Sequence, residues 1–226
     1  MPAELGCRDS VHQPCSWLGE AVFAGVMAAV LDDMLPLWCN GLMHLNPYGE
    51  YAVVLAGSLV NDWPEDREGI VSRAREVGMT VDFPEEPRDH ERVRRFLDRW
   101  LTVVDATEPQ HRARLLNALM AEASAYPRLT DHHDEGWHLH YRDDDASSLP
   151  DVLAAVISVG TALHLTTRGM HRLARCAAGI EDEADPCTAV VVDVTRNGRQ
   201  RYCSVRCANR AAVRRHRARA GSPGGA

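Results

Sequence analysis

No lysine occurs among the 226 residues, and all 25 basic side chains are arginine. Base composition alone can produce that bias, so the absence of lysine assigns no function. Other absences exclude more. The chain holds no P-loop, no GxSxG elbow and no dinucleotide fingerprint, so the common signatures of phosphoryl transfer, serine hydrolysis and hydride transfer are missing. A non-enzymatic role is the expectation. The apolar stretch Ala21 to Leu31 spans 11 residues, too short to cross a bilayer. No basic segment precedes it, as a secretory signal would require. A cytoplasmic location without membrane attachment is therefore expected. No internal repeat is present. Seven cysteines make an odd number, which argues against a complete disulfide framework.

What is present is unevenly distributed. Residues 1–170 carry 14 arginines against 27 acids, whereas residues 171–226 carry 11 arginines against 5 acids, within a total of −7. From Arg196 to Arg219 there are nine arginines and no carboxylate. A basic tail on an acidic body suits a nucleic-acid partner. Four of the cysteines, Cys176, Cys187, Cys203 and Cys207, fall beside this tail with spacing C-x10-C-x15-C-x3-C. Thiolate is a soft ligand, and four such groups suit a tetrahedral Zn²⁺ site. Cys7, Cys15 and Cys39 have no evident partners.

Around these ligands the residues predict a small module. Thr188 to Thr195 reads as a strand, Arg199 to Tyr202 as its return, and Asn197-Gly198 as the two-residue turn between them. Ser204 is placed to cap a helix starting near Val205. At ~45 residues the module is too small to rely on its own core, so metal is expected to supply much of its folding free energy, roughly 10–16 kcal/mol apparent. Arg206, Arg210, Arg214 and Arg217 recur on one helix face, with Arg215 and Arg219 beside them. Like charges at that spacing repel, and an anionic partner relieves the repulsion. Arg196, Arg199, Arg201 and Asn209 complete the expected nucleic-acid-binding set, and DNA is the expected partner.

Upstream, Tyr51 to Leu59 fits a strand or a short buried helix, which an apolar run alone does not separate. Val93, Phe96, Leu97, Trp100, Leu101 and Val104 recur at three and four, predicting a helix from about Asp89 to Val104. A second helix is expected over Glu108 to Tyr126, stopped by Pro127. Trp137 to Tyr141 alternates as a strand, with Trp137, Leu139 and Tyr141 facing inward. A third helix runs from Pro150 to about Leu165, and Gly169 ends it. Asp131, His132, His133, Asp134, His138 and His140 form a rival cluster. It supports an alternative reading as a metal-binding enzyme or small-ligand sensor, in which the cysteine module is structural or protein-binding. Asn61, His138 and His140 are the residues expected at any small-molecule pocket.

The sequence Cys203-Ser-x-x-Cys207-Ala-Asn209-Arg210 followed by Val213-Arg-Arg-His-Arg217 resembles the CGNR-type zinc finger, and Asp193-Val-Thr-Arg-Asn-Gly198 resembles that family's hairpin. The likeness extends forward, more loosely, through Leu59-Val-Asn61, Leu115-Leu-Asn-Ala-Leu119, the Trp137 to Asp145 segment and His171 to Ala178. It implies an N-terminal ABATE domain and a role as a stress-induced transcription regulator. The fold class expected is α+β: a mainly helical N-terminal domain with a small sheet, and a C-terminal treble-clef-like finger of β-hairpin and helix. The implied division is an extension over 1–42 (or an upstream misassigned start), an ABATE-like sensor or oligomerisation domain over 43–170, the finger over 171–219 and a flexible tail over 220–226. Two departures stand out. Ala208 replaces the family's glycine, which would strain a left-handed backbone there. The loop between the first two cysteines is longer than usual and carries Glu181, Asp182, Glu183 and Asp185, a set able to fold over the arginines. Target sequence, effector and oligomeric state are not legible.

Overall fold

The computed structural model describes residues 49–79, 81, 83–130, 138–141, 148–180 and 186–221. The order is α1 (Glu50–Asn61), α2 (Arg67–Glu76), α3 (Asp89–Asp105), α4 (Pro109–Ala123), β1 (Arg128–Thr130), β2 (His138–His140) and α5 (Leu149–Arg168). A 3₁₀ turn (Met170–Arg172) follows, then β3 (Leu173–Arg175), α6 (Ala177–Ile180), β4 (Val190–Val192) and α7 (Val205–Gly221). The described part is mostly helical with two small two-stranded sheets, β1–β2 and β3–β4. The extension 1–42 and the acidic loop 181–185 lie outside the described residues, as do Asp131, His132, His133, Asp134 and Trp137.

Two helices, α2 and α4, start where a carboxylate satisfies their free amides. The Glu108 carboxylate accepts from the amides of Gln110 and His111, with Pro109 opening α4. Those two bonds hold the Glu108 pKa below its ordinary value. Asp66 caps α2 by accepting from Gly69 N at 2.9 Å. The helix α4 ends at Ala123, three residues short of the expected Tyr126. The Ser124 hydroxyl turns back to the Met120 carbonyl, and Ala125 N bonds Tyr141 O at 2.8 Å, so the chain is already entering the β1–β2 pairing. Tyr51 to Leu59 resolves as helix: α1 buries Ala52, Val53, Leu55, Ala56 and Leu59.

The long helix α5 is the axis of the core. It is long and apolar enough to cross a membrane, but 72 % of its most apolar window is buried inside the protein, and its partners are α1, α3 and α4. It crosses α1 at a glycine pair. A Cβ on Gly49 (φ 65°) would lie 2.1 Å from the Gly160 carbonyl oxygen, and one on Gly160 would lie 2.5 Å from the Ala52 Cβ. Only glycine permits that approach. Leu55, Leu59, Ile70, Leu97, Trp100, Leu153, Ile157 and Leu165 fill the interior. Trp100 Nε1 donates to Thr161 Oγ1 at 2.9 Å, and that hydroxyl donates on to the Ile157 carbonyl at 2.6 Å, so the largest buried ring is fully satisfied.

Arg112 is almost wholly buried, and no carboxylate pairs with it among the described residues. Its guanidinium donates to the carbonyls of Val103 (3.0 Å), Val104 (3.0 Å) and Met170. The first two belong to the last turn of α3, where the helix dipole favours a cation. Arg112 therefore ties the ends of α3 and α5 to α4.

His164, on α5, is fully buried. Burial and the neighbouring Arg168 and Arg172 guanidinium groups lower its pKa from the ordinary 6.5, only partly offset by the Arg172 backbone and by Asp193. The folded protein therefore favours the neutral imidazole, while the unfolded chain takes up a proton below pH 6.5. The His164 contribution to stability should be complete above that pH and be lost as pH falls below it. In urea titrations, the stability difference between wild type and His164→Leu should be flat above pH 6.5 and change in favour of the variant below it. A difference that stays constant down to pH 5 would contradict this.

The strands β1 and β2 pair antiparallel, Leu129 opposite Leu139. Both leucines point outward, 64 % and 48 % exposed. The expectation that Leu139 faces the core is corrected: with only two strands, this sheet presents the leucine pair to solvent.

Candidate metal centre and arginine helix

The four terminal cysteines come from three places in the fold. Cys176 directly follows β3, Cys187 lies three residues before β4, and Cys203 and Cys207 flank the start of α7. Their sulfurs all lie within 4.8 Å of one another. Cys203 Sγ is 3.6 Å from both Cys187 Sγ and Cys207 Sγ. Four thiolates at about 2.3 Å from a tetrahedral ion sit about 3.8 Å apart, so this spacing suits a metal ion. Cys176 and Cys207 are buried, while Cys187 and Cys203 are partly exposed. Among the described residues no other group of three or more such ligands is found.

The described thiols do not share one tendency to ionise. Burial and the neighbouring thiols push the Cys203 pKa up to about 12. Burial likewise raises Cys187. Cys207 is lowered, chiefly by the Ser204 hydroxyl. A bound divalent ion reverses this order, because a coordinating thiol is deprotonated outright. Cys203 N also lies 3.4 Å from Cys176 Sγ, where it donates to the sulfur.

The hairpin differs from its expected form. Strand β4 pairs with β3, in register Leu173↔Val192, Ala174↔Val191 and Arg175↔Val190, and not with 199–202. The reason is Asp193. Its carboxylate accepts from Thr195 N (2.9 Å), from the Thr195 hydroxyl and from Gln200 N (3.0 Å). Burial opposes its charge, but these bonds and Arg172 hold its pKa below the ordinary value. Arg172 fills the inside of the turn, donating to the carbonyls of Asp193 and Thr195. The returning chain instead offers the Arg201 carbonyl to Ala177 N at 2.8 Å. The signal for this turn was in the sequence as Asp193-x-Thr195, a pattern that bonds its own backbone two residues on.

The helix α7 begins as expected. Ser204 Oγ accepts from Cys207 N at 3.2 Å. Ala208 is an ordinary helical residue whose amide bonds Ser204 O at 3.1 Å, so the feared left-handed strain does not arise. Alanine there favours the helix over glycine by about 1 kcal/mol. Arg206, Asn209, Arg210, Arg214, Arg215, Arg217 and Arg219 all lie on this helix, and Arg196, Arg199 and Arg201 on the loop before it. Arg215 donates to the Tyr202 hydroxyl at 2.7 Å.

Of the residues expected at a small-molecule pocket, His138 and His140 lie on β2. Asn61 has both ends of its amide committed elsewhere. Its Nδ2 donates to Val190 O at 2.8 Å and its Oδ1 accepts from Val190 N at 2.7 Å. It thus acts as a one-residue strand for β4 across 129 positions of sequence. No sequence pattern announces such a pairing.

No curated protein matches the chain. Residues 172–220, the segment holding the cysteine cluster and the arginine helix, match the family model of the CGNR zinc finger.

Proposed function

We propose that the cluster binds Zn²⁺ and that the protein is a DNA-binding transcription regulator, with the helical body over 43–170 acting as an ABATE-like sensor or oligomerisation domain in a stress response. The observation that carries this reading is a contrast in arginine pairing. In the body, several arginines have carboxylate partners: Arg67 with Asp89, Arg92 with Asp151, Arg99 with Glu122 and Arg168 with Glu50. In the C-terminal segment, Arg196, Arg199, Arg206, Arg217 and Arg219 are exposed and make no ion pair among the described residues. Five exposed cations on one short segment supply the charge that a phosphate backbone requires.

The test is a titration of the full zinc-loaded chain against mixed-sequence duplex DNA at several salt concentrations. If about five arginines reach phosphates, log K should fall against log salt with a slope of about −4 to −5. Binding that is absent, or that does not change with salt, overturns the DNA reading. Genome-wide mapping of bound sites would then give the targets, and comparing stressed with unstressed cells would test the regulatory role.

A further inference from the structure

The two halves of the cysteine cluster are held by different means. Cys176 and Cys187 are presented by β3–β4, and that hairpin is built into the body. Leu173 and Val190 are buried in the same core as Trp100 and Ile157. Asn61 closes both backbone groups of Val190. Arg175 makes two bonds to the Asp105 carboxylate, at 2.6 and 2.9 Å, from the end of α3. Arg168 reaches the Val194 carbonyl at 3.1 Å. A Cβ on Gly57 would lie 2.8 Å from Val192 Cγ2, so α1 lies directly against β4. None of these contacts involves a cysteine sulfur.

Cys207 lies on α7 and Cys203 just before it, and α7 buries little of itself. Among the described side chains of α7, those buried are Cys207 and Ala211. Its valines, Val205 and Val213, are exposed. Burying two small side chains contributes on the order of 1 kcal/mol each. Ordering the backbone costs about 1–2 kcal/mol per residue before helix bonds are counted. An isolated helix of this length is marginal in water. Arg206 in the first turn opposes the helix dipole.

We propose that the metal is a staple joining the arginine helix to a body that folds without it, so that metal occupancy decides whether the helix is presented at all. This rests on the zinc reading of the cluster and is independent of the DNA reading. The body and its two cysteines form a preorganised half-site. Zn²⁺ binding there recruits Cys203 and Cys207 and orders α7 with its cations. Loss of the ion releases α7 while the core stays closed.

The experiment compares the full chain, under reducing conditions, with Zn²⁺ bound and after stripping by a chelator. Metal content is measured first, and amide hydrogen exchange is then read peptide by peptide. The expected result is one equivalent of zinc and, on stripping, exchange in 205–219 faster by more than about 10-fold, with α3 and α5 changed less than about twofold. Adding Zn²⁺ back should restore protection. Equal protection of α7 in both states overturns the staple, and so does loss of protection in α3 and α5 together with α7. A chain that takes up no zinc overturns the zinc reading itself, a distinct outcome visible before any exchange is measured.

Discussion

Replacing Cys207 with serine should weaken zinc binding by more than 100-fold. Structural four-thiolate sites bind with roughly 10–16 kcal/mol of apparent free energy, so one ligand in four accounts for about 3 kcal/mol. Cys207 is a sensitive choice because it is buried, it is the thiol whose pKa the Ser204 hydroxyl lowers, and its amide already closes the helix cap. Serine keeps the shape and the cap and removes only the soft ligand. Competition against a chromophoric chelator reads the change directly. A drop of less than about tenfold would mean that Cys207 is not coordinated, and that the sulfurs cluster for packing alone. Helix α3, far from any cysteine in sequence, should unfold at nearly the same urea concentration in both proteins.

Replacing Arg112 with methionine should cost about 3 kcal/mol of stability. Methionine preserves most of the apolar stem, so the loss reports the guanidinium. Three carbonyls that now receive its hydrogen bonds, those of Val103, Val104 and Met170, would be left with poor alternatives inside the protein, each costing on the order of 1 kcal/mol or more. The helix dipole of α3 would also lose its cation. With a typical slope of about 2 kcal/mol per molar urea, the unfolding midpoint should move down by about 1.5 M. A shift below about 0.5 M would show that relaxation or water satisfies those carbonyls. The result separates Arg112 from the surface arginines. Arg99, for example, makes a two-point contact with Glu122 at 2.6 and 2.7 Å, but both groups are largely exposed, and such pairs contribute less than about 1 kcal/mol.

The sequence was most informative where one local rule was enough. Apolar periodicity located α3 and α5 to within a few residues, because each presents a face to a single core. Ser204 could be assigned as a cap because a hydroxyl before a basic helix has few other uses. Cysteine spacing was sufficient to gather four candidate ligands. It misled where two local rules competed or where the partner was distant. Asn197-Gly198 is a strong hairpin signal, yet the buried Asp193 uses the nearby amides and sends β4 to pair with β3. The run Tyr51 to Leu59 was ambiguous because α1 is covered by both α5 and β4, and a helix buried on two sides loses its amphipathic signature. Leu139 was assigned to the core by alternation alone, but alternation fixes which residues share a face and not which face is covered. The Asn61–Val190 pairing joins residues 129 apart. Nothing in either segment read alone could reveal it.

That last pairing also sets an order of assembly. A chain emerging from the ribosome delivers α1 early, but the strand that completes its outer side arrives only after Val190. The helical body therefore cannot close its interior during most of its own synthesis, and a protein cut short before Leu173 would lack two of its buried side chains, Leu173 and Val190. Such long-range closure is slow, because the loop entropy is spent before the contact rewards it. The first part of the segment matched as a finger, β3 and β4, is, in folding terms, the last piece of the body.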